Sequence, residues 1–94
     1  MTILNGAGVV VTGGGGGIGR AIARRLAADD ARVVVNDLDP AAAMAVAAEI
    51  GGFAVPGDIG TEQGIDQLIN AAAEFLGEID IYCSNAGTVA GAGP

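Results

Sequence analysis

Five consecutive glycines, Gly13–Gly17, stand between a run of β-branched residues and an amphipathic segment. Val9–Val11 reads as a short buried strand. From Ile18 to Asp29 the period changes: Ile18, Ile22 and Leu26 recur every four residues, with Arg20, Arg24 and Arg25 off that stripe, as on a helix. Glycine tolerates φ > 0 and carries no Cβ, so such a loop lets a ligand approach the backbone closely. The helix that follows aims the free N–H groups of its first turn at the same place. A strand, a glycine loop and a helix in that order are the setting in which glycines bind phosphate rather than merely turn the chain.

The remaining segments repeat the alternation. Arg32–Asn36 is a second strand, centred on three valines. Asp39 caps a helix with Pro40 at its first position, and this helix runs through an alanine-rich stretch to Ile50 and stops at Gly51-Gly52. Phe53–Val55 is a third strand. Thr61 caps a helix whose apolar face carries Ile65, Leu68, Ile69, Ala72, Phe75 and Leu76; Gly64 weakens its first turn and Gly77 ends it. Ile79–Cys83 is the last strand, and Gly87–Pro94 is an aperiodic tail of small residues. The order β-α-β-α-β-α-β predicts an α/β fold, with a parallel sheet covered by helices on both faces.

Composition removes several kinds of chemistry. The 94 residues carry four Arg, no Lys and no His against eleven acidic side chains, a net charge of -7. Nucleic acid and anionic lipid are therefore not expected as partners. A His/Cys metal cluster, a Ser/His/Asp triad and a lysine nucleophile are impossible, and Cys83 alone cannot form an internal disulfide. The longest wholly apolar run, Ala41–Ala48, falls far short of the ~20 residues that span a bilayer, and the N-terminus lacks a basic region. The expectation is a cytoplasmic chain with no membrane contact.

The glycine loop fits two spacings. Gly14, Gly16 and Gly19 satisfy the dinucleotide pattern G-x-G-x-x-G, while Thr12, Gly13, Gly17 and Gly19 satisfy T-G-x-x-x-G-x-G. The second resembles the glycine motif of the short-chain dehydrogenase/reductase family. Leu4-Asn5-Gly6 and Gly17-Ile18-Gly19-Arg20-Ala21-Ile22-Ala23 are similar to that family too. So is Ser84-Asn85-Ala86-Gly87, which resembles its N-N-A-G element with Ser84 in place of the first Asn. The resemblance implies a Rossmann-type doubly wound sheet over residues 1–94, with strand order 3-2-1-4 and a dinucleotide in the crevice between the first and fourth strands.

The implied cofactor contacts are Gly13, Gly15, Gly16, Gly17, Ile18 and Gly19 for the pyrophosphate, Asp37 and Leu38 for the ribose, Asp58 and Ile59 for the adenine, and Asn85, Ala86 and Gly87 beside the first strand. Asp37 follows Gly19 by eighteen residues and can accept from both ribose hydroxyls. It would also repel a 2′-phosphate, by on the order of 4 kcal/mol per unit-charge pair at ~4 Å and an effective ε of 20. Gly14–Gly16 and Leu38 offer no base to offset that, so NAD is expected ahead of NADP. Asp39 reads better as a helix cap, and Arg24 and Arg25 as a solvated helix face, while Arg20 stands close to the loop.

In that family the catalytic Asn, Ser, Tyr and Lys lie beyond the N-A-G element, so none is carried onto this chain. Tyr82 is not followed by Lys four residues later and reads as a strand residue; Cys83 reads as a small core residue. The expectation is the cofactor-binding portion of an oxidoreductase that moves hydride between nicotinamide and an alcohol or carbonyl carbon. The alternatives are an inert nucleotide-binding module and a non-functional truncated fragment. A domain this short buries only about 60–70% of its unfolded surface, and the fourth strand would be an exposed edge. Marginal stability and self-association through that edge are expected.

Overall fold

Two valine triplets become the middle of a parallel sheet because each is apolar on both faces. The structure, a computed structural model, describes residues 4–85. Its elements are β1 (Gly8–Thr12), α1 (Gly17–Ala28), β2 (Arg32–Asn36), α2 (Pro40–Ile50), β3 (Phe53–Ala54), α3 (Glu62–Leu76) and β4 (Ile81–Cys83). The strands lie in the order β3-β2-β1-β4 and all pair in parallel, with Val9 opposite Val33 and Ile81, and Val34 opposite Phe53.

Strand alternation sorts the valines into two layers. Val9, Val11, Val33 and Val35 pack with Ala23 of α1 and with Ala43, Val46 and Ala47 of α2. Val10 and Val34 pack on the other face with Leu68, Ala72 and Leu76 of α3. Two helices thus cover one face and one covers the other, as the alternation predicts. β3 and β4 are edges, and β4 is bordered by β1 alone among the described residues.

The helix boundaries agree with their chemical signals. The Asp39 side chain accepts from the amides of Ala41 and Ala42, Pro40 opens α2, and Gly51 closes it at φ 70°. Thr61 accepts from the amide of Gly64 at the start of α3.

The apolar stripes need correction. Gly19, Ile22, Ala23, Leu26 and Ala27 share the inward face of α1, whereas Ile18 is 74% exposed. At ~100° per residue a row of every fourth residue drifts around the helix, and Ile18 falls about 100° from the centre of the buried face. Ile65, in the first turn of α3, and Phe75, at the flank of its buried row, are also exposed. Phe75 stacks instead on Phe53 of the β3 edge, ring centroids 4.5 Å apart. The last strand begins at Ile81 rather than Ile79. Asp80 turns to join β1, its amide donating to the Gly8 carbonyl and its carboxylate accepting from the Gly8 amide, each at 2.7 Å.

Candidate functional site

The site is built where β1 and β2 end. Gly13 and Gly17 adopt φ 64° and 56°, a left-handed backbone that non-glycine residues rarely take. Gly14 donates its amide to the carbonyl of Asn36 at 2.8 Å, and Gly15 donates to the Asp37 carboxylate at 3.0 Å, so the loop lies against the exit of β2. Gly16 is the N-cap residue of α1, with no side-chain cap and no acidic residue in the first turn. The first-turn N–H groups, which have no partner within the helix, therefore meet no competing carboxylate of their own turn.

Gly19 explains how close the pieces are. A Cβ there would strike the Gly13 carbonyl oxygen and come within 2.7 Å of Asn85 Nδ2. Asn85 in turn donates through Nδ2 to the Gly13 carbonyl at 3.3 Å and through its backbone amide to Thr12 Oγ1 at 2.8 Å. Thr12 Oγ1 donates to the Cys83 carbonyl at 3.3 Å. These bonds stitch the exit of β4 to the exit of β1, the point where the strand order reverses. Of the two glycine spacings, T-G-x-x-x-G-x-G is the one whose glycines all have a conformational or steric reason to be glycine. Gly16, needed by the other spacing, has an extended backbone, and a Cβ on it would meet nothing within 4 Å.

Asp37 is half-buried. One oxygen accepts from the Gly15 amide and the other from the Asp39 amide at 3.0 Å, which fixes the carboxylate beside the loop. Leu38 is 71% exposed next to it. The Gly57 amide donates to the Asp37 carbonyl at 3.0 Å and so brings the Asp58 segment alongside. Asp58 is exposed, and its Oδ1 accepts from the Gly60 amide at 2.8 Å. Ile59, expected to pack near the adenine, is partly buried against the core under α3. Ala86 and Gly87 lie outside the described residues.

No arginine serves the loop. Arg20 and Arg24 both pair with Glu49 of α2 at 3.2 Å, Arg25 pairs with Asp29 at 3.4 Å, and Arg32 donates to the carbonyls of Gly6 and Leu76. Among the described residues no cluster of metal-ligating side chains occurs, and no helix is long and apolar enough to cross a membrane.

The sequence profile of the short chain dehydrogenases matches residues 7–94. The chain belongs to the short-chain dehydrogenase family. Its relatives include the 7alpha-hydroxysteroid dehydrogenase of Escherichia coli, 43% identical over 97% of this chain and 36% of that protein. Among solved structures, the 3-ketoacyl-(acyl-carrier-protein) reductase of Brucella melitensis in complex with NADH is 41% identical with a TM-score of 0.82, over 84% of this chain and 34% of that one. RhlG of Pseudomonas aeruginosa, in an NADP active-site complex, is 37% identical with a TM-score of 0.83, over 90% of this chain and 36% of that one. The chain spans between 26% and 36% of the length of such curated relatives.

This short-chain dehydrogenase family member brings together the glycine loop, Asp37, Leu38 and Asn85, with Asp58 held alongside through Gly57. A bare helix N-terminus can take a diphosphate, and a fixed carboxylate can accept from vicinal hydroxyls. Sequence reasoning overlooked Asn36, a buried polar side chain at the end of a valine strand, whose only signal is that one residue breaks an apolar run.

Proposed function

We propose that residues 1–94 are the N-terminal part of the dinucleotide-binding domain of an NAD-dependent short-chain oxidoreductase. The reading is carried by the Asp37 carboxylate, held at the end of β2 with one oxygen on the Gly15 amide. At that place it can accept from the adenosine ribose hydroxyls, and it puts negative charge where NADP would carry a phosphate. The arginines point the same way, since each has a partner away from the loop. One solved neighbour holds NADH and another NADP, so the choice of cofactor turns on these residues of the chain itself.

The bound dinucleotide would supply a hydride acceptor or donor. The chain's own residues bind and orient it: the loop and the first turn of α1 take the diphosphate, Asp37 and Leu38 the ribose, and Asp58 the adenine amino group. Ile18, exposed at that turn, would lie beside the diphosphate and offer it its backbone amide. Asn85, with Ala86 and Gly87 after it, would line the crevice beside β1. The relatives include dehydrogenases of a hydroxysteroid and of meso-2,3-butanediol, and the neighbours a ketoacyl reductase. Alcohols and carbonyls of such unlike size support the reaction class, and we take substrate choice to rest with residues other than these. The groups that move the proton are likewise expected elsewhere, since the family's lysine has no counterpart in a chain without Lys.

Calorimetry on the purified chain tests the reading. NAD is expected to bind saturably and NADP at least about tenfold more weakly, a difference of ~1.4 kcal/mol. Asp37→Ala should weaken NAD and narrow that gap. Equal affinity for the two cofactors in the unsubstituted chain would sink the assignment of NAD, and no binding of either by a folded chain would sink the dinucleotide site.

A further inference from the structure

Asn36 ends β2 opposite Thr12 and is 1% exposed. Its Nδ2 donates to the carbonyls of Val55, at 3.0 Å, and Gly57, at 3.3 Å. Its backbone carbonyl accepts from the Gly14 amide at 2.8 Å. Three segments therefore meet on one residue: the glycine loop, the Asp37 turn that follows directly, and the stretch leading from β3 to Asp58.

The same side chain is costly. Asn36 Oδ1 is buried and has no hydrogen-bond partner among the described residues. A buried acceptor left unpaired costs roughly 1–3 kcal/mol. A fourth valine would continue the strand without that orphan. A local rule broken at the mouth of a crevice is a mark of function rather than of stability. What asparagine adds over valine is the pair of donors that fix Val55 and Gly57. Gly57 sits at φ 154°, a conformation that L side chains rarely adopt, and passes directly into Asp58.

We propose that Asn36 is a positioning residue for the adenosine end of the dinucleotide: its buried amide holds the Asp58 segment at a set distance from Asp37. This builds on the dinucleotide reading above. Asp37, half-buried, and Asp58, exposed, lie on separate connections; beyond the Val55 amide on the Val35 carbonyl at 2.9 Å, two tethers join those connections. One is the Gly57 amide on the Asp37 carbonyl; the other is the Asn36 side chain. Removing the second leaves the Asp58 segment held to the ribose-binding edge by backbone bonds alone, a looser setting, although the core beneath is unchanged.

The experiment compares NAD with nicotinamide hypoxanthine dinucleotide, which lacks the adenine amino group, on the 94-residue chain and on Asn36→Val and Asn36→Ser. The unsubstituted chain is expected to prefer NAD. In the variants NAD affinity should fall about tenfold, the loss of one well-placed hydrogen bond, and the preference should shrink toward unity. A merely structural role would weaken both ligands alike and keep their ratio, which overturns the proposal. Should a variant fail to fold, the side-chain amide protons of Asn36 in the unsubstituted chain decide. They are expected to exchange slowly with solvent and to shift when AMP saturates the protein; unshifted protons with AMP bound overturn the role. If the unsubstituted chain binds NAD but does not prefer it over the analogue, the Asn36 role falls and the dinucleotide site stands. If it binds neither NAD nor AMP, the dinucleotide site falls and the Asn36 role with it.

Discussion

Placing a side chain on Gly19 drives a Cβ into the Gly13 carbonyl and against Asn85, whereas one on Gly16 meets open space. Gly19→Ala should therefore destabilise the chain by about 1–3 kcal/mol, the usual cost of overpacking, as read from urea unfolding. Gly16→Ser should leave stability within ~0.5 kcal/mol, because serine is at least as good an N-cap as glycine. It should nonetheless weaken NAD binding measured by calorimetry, since only bare backbone lets a diphosphate come close. Unchanged binding in Gly16→Ser would place the diphosphate away from this residue. The sequence displays five adjacent glycines without distinguishing these cases, because a close approach is a fact about a distant neighbour. Asp39 was legible for the opposite reason, its partners lying two or three residues away, and Asp37 because it occupies a position of the family pattern, although its Gly15 partner lies 22 residues back. Asn36 was not, as its partners are carbonyls 19 and 21 residues along the chain and no motif marks its position.

At the scale of elements, α2 is the most legible, because Asp39, Pro40 and Gly51 mark both of its ends by local chemistry. The facing of α1 is less so. A four-residue apolar row points to Ile18, while the helix turns its small residues inward so that it can lie close to the sheet. Gly64 looks like a weak spot in α3, yet a Cβ there would strike the Asp58 carbonyl, so the glycine lets the helix start beside the site. β3 has only two residues and leans on α3 through the stacked pair Phe53 and Phe75. A double-mutant cycle with Phe53→Ala and Phe75→Ala should give a coupling of ~0.5–1.5 kcal/mol in urea unfolding. Additive losses would mean that the rings only share a surface.

Across the whole molecule, the sheet has two unlike edges. Phe75 guards β3, while β4 carries Ile81 and Tyr82 at 36% and 40% exposure with no further strand beside it among the described residues. An unpaired edge with apolar side chains invites a second copy of the chain, and a net charge of -7 opposes it. Light scattering should accordingly show concentration-dependent association that strengthens with salt, and Tyr82→Lys should suppress it. A monomer at every concentration and salt, melting cooperatively above ~65 °C, would contradict both the association and the marginal stability. Alternating periods made the parallel α/β sheet readable, and the family resemblance supplied the strand order and the return of Asn85 to β1; the particular bond that fixes that return was not readable. The bond from the Asn85 amide to Thr12 spans 73 positions, nearly the whole described chain. Local turns can close early, whereas contacts of such separation come late in folding. The crevice is therefore a latecomer in time: during synthesis its glycine loop emerges first and waits, half an embrace, until Asn85 has been translated 73 positions later.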